Sequence, residues 1–282
     1  MIIVTHISQL RAQLRAVQLA GKSIGFVPTM GALHSGHLSL IEIARQHSDF
    51  VVASVFVNPQ QFGPGEDFDQ YPRQAEKDAA MLEAGGTDLL FLPEPKEIYP
   101  VQPRFKLIPG DSANLLCGKT RPGHFAGVGI VVAKLLNLVN PDFLFLGQKD
   151  LQQTVIIRQL IEDLNFPVQL IVCPIVREPA GLAMSSRNRY LNEGDRNAAS
   201  GIFRALGKMV EEAKMGKNAA ELIILGKELL ENIPGLKLDY LEIVQANSLA
   251  SVSEINSDQN PVIVAAAYFG KTRLIDNEFI FS

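Results

Sequence analysis

The chain has 282 residues, of which 47% are apolar and 20% charged, with 26 basic side chains against 30 acidic ones for a formal net charge of -4. That length favours two domains with a core large enough to need no disulfide staples. A mildly acidic balance without a basic block excludes nucleic acid as the main partner, because binding a phosphate backbone needs clustered Lys and Arg to displace counterions.

In chain order, the opening MIIVTHISQLRAQLR lacks the long apolar region and small-residue cleavage site of a secretory signal. Ile2–Thr5 reads as a strand, then a helix capped by Ser8, with Leu10, Leu14 and Val17 on one face and Gly21 at its end. Strands are predicted at Ile24–Val27 and Val51–Val57, with PTMGALHSGH and a helix over Leu38–Gln46 between them. The following NPQQFGPGEDFDQYP is long and turn-rich for a simple connection, which points to a binding segment.

Further strands are predicted at Leu89–Leu92, Phe143–Leu146 and Val168–Cys173, and helices at Val128–Leu138 and Leu151–Leu164. The apolar stretch Val128–Val139 contains Lys134 and Asn137 and is too short to cross a bilayer, so no membrane partner is expected. Beyond Val176 come the polar REPAGLAMSSRNRYL, helices over Asp195–Lys214 and Ala219–Glu231, and two closing strands, Leu238–Val244 and Val262–Phe269. Strands alternating with helices define an α/β fold with a parallel sheet. The composition change divides it into domains 1–175 and 176–282. Cys117 and Cys173 are too few for a disulfide framework and match no zinc-ligand spacing, which fits a reducing cytoplasm.

Three segments carry chemistry. His34-Ser35-Gly36-His37 lies between a strand and a helix, where unpaired backbone N–H groups and the helix dipole favour an anion. The spacing puts both imidazoles on one face, and Gly31 and Gly36 leave room for a nucleotide to approach the backbone. An ordinary helix start with two solvent-facing histidines would show the same pattern. A metal site would need a third ligand such as His124, and no H-E-x-x-H is present.

Gly147-Gln148-Lys149-Asp150 follows the strand FLFL, where open parallel sheets bind ligands, although a routine turn with Asp150 as N-cap is the alternative. Met184-Ser185-Ser186-Arg187-Asn188 offers two hydroxyls and a forked cation to phosphate oxygens, or is simply a solvated linker. Taken together the three segments favour a phosphate-handling site.

The chain resembles the pantothenate synthetase family, the ATP-dependent ligases that join pantoate to β-alanine. The resemblance rests on VPTMGALHSGH from Val27, FVNPQQF from Phe56, YPR from Tyr71, RPGHFAGV from Arg121, PDFLFLGQKDLQQ from Pro141, GLAMSSRNRYL from Gly181 and RLIDN from Arg273. It implies a Rossmann-like nucleotidyltransferase core with a smaller C-terminal α/β domain, a homodimer formed through the N-terminal domain, a need for Mg2+ and a cytoplasmic location.

By the same resemblance, ATP would contact Met30, Gly31, Ala32, Leu33, His34, Ser35, Gly36, His37, Gly147, Gln148, Lys149, Asp150, Val176, Met184, Ser185, Ser186 and Arg187. His34, His37 and Lys149 would be catalytic. Gln61 and Gln153 would hold pantoate, with Gln61 also near β-alanine. Two positions depart from the family pattern: Cys117 stands where many relatives have Glu, and Ala180 where many have Asp.

The implied reaction is attack of the pantoate carboxylate on the α-phosphorus of ATP, then attack of the β-alanine amine on the resulting acyl adenylate. Such an intermediate is labile in water, so the Gly63–Asp69 loop is expected to act as a lid. Two rivals remain: a nucleotidylyltransferase with an adenylated end product, and a nucleotide-binding regulator that kept the fold without turnover.

Overall fold

In the computed structural model, which describes residues 1–281, the strands sort into one parallel and one antiparallel sheet. The first half runs β1 (Ile2–Val4), α1 (Ile7–Leu19), β2 (Ile24–Thr29), α2 (Ser35–His47), β3 (Phe50–Val55), α3 (Ala75–Ala84), β4 (Leu89–Phe91), α4 (Pro95–Ile98) and α5 (Cys117–Thr120). It continues with α6 (His124–Val139), β5 (Phe143–Gly147), α7 (Leu151–Asp163) and β6 (Gln169–Cys173). These six strands form a parallel sheet in the order β1-β4-β3-β2-β5-β6.

Helices cover both faces of that sheet, which is why its strands read as continuous Val, Ile and Phe runs without polar alternation. Phe26, Val52, Leu89 and Leu144 pack toward Val128, Val132, Leu135 and Val139 of α6 on one side. On the other, Val27, Val51, Ala53 and Phe145 meet Leu40, Ile41 and Ala44 of α2.

The second half comprises α8 (Glu193–Ala199), α9 (Gly201–Lys214), α10 (Ala219–Glu231), β7 (Leu236–Gln245), β8 (Pro261–Phe269) and β9 (Thr272–Phe279). The strands form an antiparallel sheet, β7-β8-β9, against which the apolar faces of α9 and α10 bury Leu206, Met209, Leu222 and Leu230. A separate apolar cluster joins the halves: Leu116, Leu151 and Val155 pack on Val244, Leu249, Val262 and Val264. Among the described residues no helix is long and apolar enough to cross a membrane.

Several elements differ from the sequence expectation, each for a local reason. Helix α1 starts at Ile7, with His6 rather than Ser8 at its cap position, because Glu97 accepts from the Ile7 amide at 2.7 Å. Helix α6 starts at His124, four residues earlier than its apolar periodicity indicates, since packing of its first turns on Asn58–Gln61 outweighs the low helix propensity of Gly127 and Gly129. The helix expected over Asp195–Lys214 is two helices, separated at Ser200, whose hydroxyl donates back to the Asn197 carbonyl at 2.6 Å.

The chain does not close on Phe269. Gly270-Lys271 makes a two-residue hairpin into β9, which contains RLIDN. Arg273, Asp276 and Asn277 obscured that strand by breaking its apolar alternation, and each has a polar partner elsewhere in the molecule.

Candidate active site

The parallel sheet reverses its winding between β2 and β5. These strands pair with each other only at Gly25–Phe143 and Phe26–Leu144, and then run on to Thr29 and Gly147 paired to β3 and β6 instead. A crevice therefore opens at their carboxyl ends, the position where doubly wound sheets bind ligands. It holds a cavity of about 220 Å³ lined by Met30, His34, Gly36, His37, Gln61, Gly147, Lys149, Asp150, Gln153, Val176, Met184, Ser185, Ser186 and Arg187. A cleft of about 930 Å³ toward the C-terminal sheet shares Lys149, Asp150, Gln153, Ser185 and Arg187 with it.

The turn leaving β2 is shaped by a buried carboxylate. Asp78 of α3, 1% exposed, accepts from the amides of Ala32 and Leu33, both at 2.9 Å. Ala32 and Leu33 are themselves buried, so they form the floor beneath the cavity and do not line it. Gly31 has φ +82°, and a Cβ there would lie 2.8 Å from Asp78 Oδ2; a Cβ on Gly36 would lie 2.9 Å from His34 Nδ1. A Cβ at either glycine would therefore meet a protein side chain, and Gly36 lines the cavity as well.

His34 and His37 stack with ring centroids 4.0 Å apart. The His34 amide donates to His37 Nδ1 at 3.4 Å, which assigns the proton of a neutral His37 to Nε2. Burial, then Lys149, lowers the His34 pKa to about 4; burial, His34 and Lys149 push His37 well below its usual value. The helix start therefore presents neutral imidazoles, and Ser35 beside them is exposed.

Across the crevice, Gln148–Asp150 forms a single tight turn between β5 and α7, and Lys149 Nζ lies 3.4 Å from both carboxylate oxygens of Asp150. Gln148 does not line the small cavity; its amide donates to Asn277 Oδ1 at 3.1 Å. The Met184–Arg187 loop closes the third side. The Val176 carbonyl accepts from the Met184 amide at 2.9 Å, and Ser185 Oγ accepts from the Arg187 amide at 3.2 Å.

That loop is tied to the long segment after β3. Arg187 makes a two-point pair with Asp67, Nε to Oδ2 at 3.1 Å and Nη2 to Oδ1 at 3.0 Å, and Tyr71 and Ser186 share a hydrogen bond of 3.2 Å between their hydroxyls. Gln61, 8% exposed, is set by Asn58, whose Nδ2 donates to Gln61 Oε1 at 3.1 Å and to the Gly127 carbonyl at 2.9 Å. Gln153 is half-buried on α7 and reaches both cavities.

Sequence pattern alone assigns no role to Asn58, Tyr71, Asp67, Asp78 or Asn277. Asp78 carried a usable signal, a charge on the apolar face that α3 shares with Leu82. Of the two departures from the family pattern, Ala180 is exposed, whereas the Cys117 thiol accepts from Arg273 Nη1 at 3.5 Å beside the Arg273–Asp239 pair.

Known proteins share the fold that carries this crevice. The profile of the family described as pantoate-beta-alanine ligase matches residues 2–279. Pantothenate synthetase 1 of Bradyrhizobium diazoefficiens is 47% identical over 276 residues, 98% of this chain and 96% of the relative. The pantothenate synthetase of Caldicellulosiruptor bescii is 44% identical over 279 residues, 98% of either chain.

Among solved structures, the pantothenate synthetase of Thermus thermophilus superposes with a TM-score of 0.95 at 44% identity, covering 100% of both chains. The Francisella tularensis pantoate-beta-alanine ligase, complexed with beta-gamma ATP and beta-alanine, gives 0.82 at 38% identity, covering 100% of this chain and 98% of that one. With the profile spanning nearly the whole sequence and relatives this similar over their full length, the chain belongs to the pantoate–β-alanine ligase family.

Proposed function

We propose that the chain condenses (R)-pantoate with β-alanine to pantothenate through a pantoyl adenylate, converting ATP to AMP and pyrophosphate. The observation that carries this reading is the convergence of the His34–His37 helix start, Lys149 and the Ser185–Arg187 loop on one crevice, in a chain of this family. The nucleotide-bound Francisella relative supports ATP and β-alanine as ligands of the same fold.

In the first step a pantoate carboxylate oxygen bonds to the α-phosphorus as the bond to the β-phosphate oxygen breaks. A carboxylate is ionised at neutral pH, so no general base is needed. The protein aligns the attack and stabilises charge on the transferring group and the leaving pyrophosphate. Lys149, Arg187, the Ser185 and Ser186 hydroxyls and the Nε2–H of neutral His37 suit that work, with His34 packed against His37. Gln61 and Gln153 hold pantoate through uncharged amides that match its hydroxyls. In the second step the β-alanine amine attacks the acyl carbonyl, AMP leaves, and the amide nitrogen loses its surplus proton.

The resemblance implies Mg2+, and the side chains fit it. Magnesium takes one or two carboxylates plus phosphate oxygens, and Asp150 is the acidic residue lining the small cavity among the described residues. Asp150 would hold the ion, which when bound neutralises phosphate charge. The same proposal includes the 1–175 and 176–282 division, supported by the separate cores of the two sheets, and a homodimer, supported by the exposed Val101, Phe105 and Ile108 in the first half. A cytoplasmic location is supported by the unpaired thiols of Cys117 and Cys173.

Exchange of labelled pyrophosphate into ATP tests the chemistry. Strict dependence on pantoate, followed by AMP release only when β-alanine is added, is expected. ADP as product would overturn the adenylation scheme, and light scattering at a monomer mass would overturn the dimer.

A further inference from the structure

The RLIDN segment of β9 belongs to the C-terminal sheet, yet its last two residues reach two of the three segments that build the crevice. Asn277 is 2% exposed. Its Nδ2 donates to the backbone carbonyls of Gln148 at 3.0 Å and Lys149 at 3.1 Å, and its Oδ1 accepts from Gln148 Nε2 at 3.1 Å. One side chain thereby satisfies both carbonyls of the turn that carries Lys149 and the side chain before it.

The preceding residue holds the other segment. Asp276, 4% exposed, takes two bonds from Arg177, Nη1 at 2.6 Å and Nη2 at 3.0 Å, and Arg177 Nη2 also donates to Glu278 at 2.6 Å. Arg177 stacks 4.0 Å from the Phe203 ring and donates to the Gly181 carbonyl, so it anchors the stretch leading into Met184–Arg187. The Asn277 amide donates to Asp276 Oδ1 at 2.8 Å, coupling the two holds.

We propose that Asn277 is a positioning residue for adenylation: with Asp276 it fixes the Lys149 turn and the Ser185–Arg187 loop at a set separation, so that both face one phosphate chain. The proposal rests on the adenylation reading above. A polar side chain this buried is costly without partners, and all three Asn277 side-chain bonds go to the Gln148–Lys149 turn, so its partners are chosen by that turn and not by its own sheet. The expected consequence is kinetic, because misplacing a catalytic group by about 1 Å costs on the order of 100-fold in rate.

The test is a double-mutant cycle on pantoate-dependent pyrophosphate exchange, using Asn277→Ala, Lys149→Ala and the pair. Asn277→Ala should lower the maximal exchange rate about tenfold or more while the pantoate KM moves less than about threefold. In the Lys149→Ala background the same change should cost less than about threefold, because the group it positions is gone. Should Asn277→Ala not fold, Asn277→Ser, which falls short of both carbonyls, carries the same cycle.

Penalties that multiply, a wild-type rate in the Asn277 variant, or a silent Lys149→Ala would each overturn the proposal. Wild-type exchange that ignores pantoate would overturn the adenylation reading alone, since the coupling between Asn277 and Lys149 is read equally well on that exchange.

Discussion

His124 Nδ1 lies 2.8 Å from the backbone carbonyl of Gln61, while its Nε2 lies 3.2 Å from Arg121 Nη1. The carbonyl can only accept and the guanidinium can only donate, so the ring is neutral with its proton on Nδ1. Burial, then Arg121, holds its pKa at about 4, in keeping with that state. Asn places an N–H near Nδ1 and Gln places one near Nε2. His124→Asn should therefore keep the pantoate KM within about threefold, whereas His124→Gln or His124→Ala should raise it about tenfold or more, on the order of one lost buried hydrogen bond. Steady-state kinetics with pantoate varied checks the order; equal effects of Asn and Gln would refute it.

Three histidines, His34, His37 and His124, have depressed pKa values, which makes stability fall on mild acidification. His34 and His124 sit at about 4 in the folded protein and near 6.5 when unfolded. Between those values the unfolded chain binds protons that the folded one refuses. Stability is therefore full above pH 6.5 and is lost as pH falls toward 4, by at most about 3 kcal/mol for either ring. Calorimetry should show Tm falling across that window, with a smaller drop in His34→Gln; a Tm flat from about pH 7 to about pH 4.5 would contradict both assignments. For the same reason His34 should add no inflection near pH 6.5 to kcat/KM for pantoate, whose own carboxylate stays ionised through that range.

Asp78→Ala would leave the Ala32 and Leu33 amides buried without an acceptor. The expected cost is about 3 kcal/mol, and Asp78→Asn, which keeps one acceptor, should cost less. Urea denaturation measures the order. Adenylation should drop about tenfold or more in Asp78→Ala, because the turn that aims α2 at the crevice loses its template. Normal turnover in a destabilised Asp78→Ala would show that the turn holds its shape without the carboxylate.

The Gly63–Asp69 loop contributes Glu66 to Arg121 and Asp67 to Arg187, so it touches both the Gln61 support and the Ser185–Arg187 loop. As a water-excluding lid it should lose roughly half or more of its amide exchange when ATP and pantoate are added together, and less with either alone. Exchange identical in all three conditions would remove the lid from the scheme.

The parallel sheet was legible because strands buried on both faces become runs such as Val51–Val55, and because the turn chemistry after β2 and β5 is local. The crevice was legible for the same reason: His34, His37 and Lys149 sit beside strand ends. What stayed hidden acts over long sequence distances. Asp78 reaches back 46 positions to Ala32, and Asn277 reaches 128 positions to Lys149. Strand β9 was missed because the polar residues that break its alternation are satisfied by partners in other elements. Short-range pattern carries no trace of such partners.

The pairing of the cations around the crevice has a consequence for how an anion binds there. Lys149 lies against Asp150, Arg187 against Asp67 and Arg121 against Glu66. A polyphosphate arriving at these side chains replaces a carboxylate partner with phosphate oxygens and does not neutralise bare positive charge. Salt weakens the outgoing pairs and the incoming ones alike, so the affinity for ATP should vary with ionic strength much less steeply than the binding of a phosphate chain to an open basic surface.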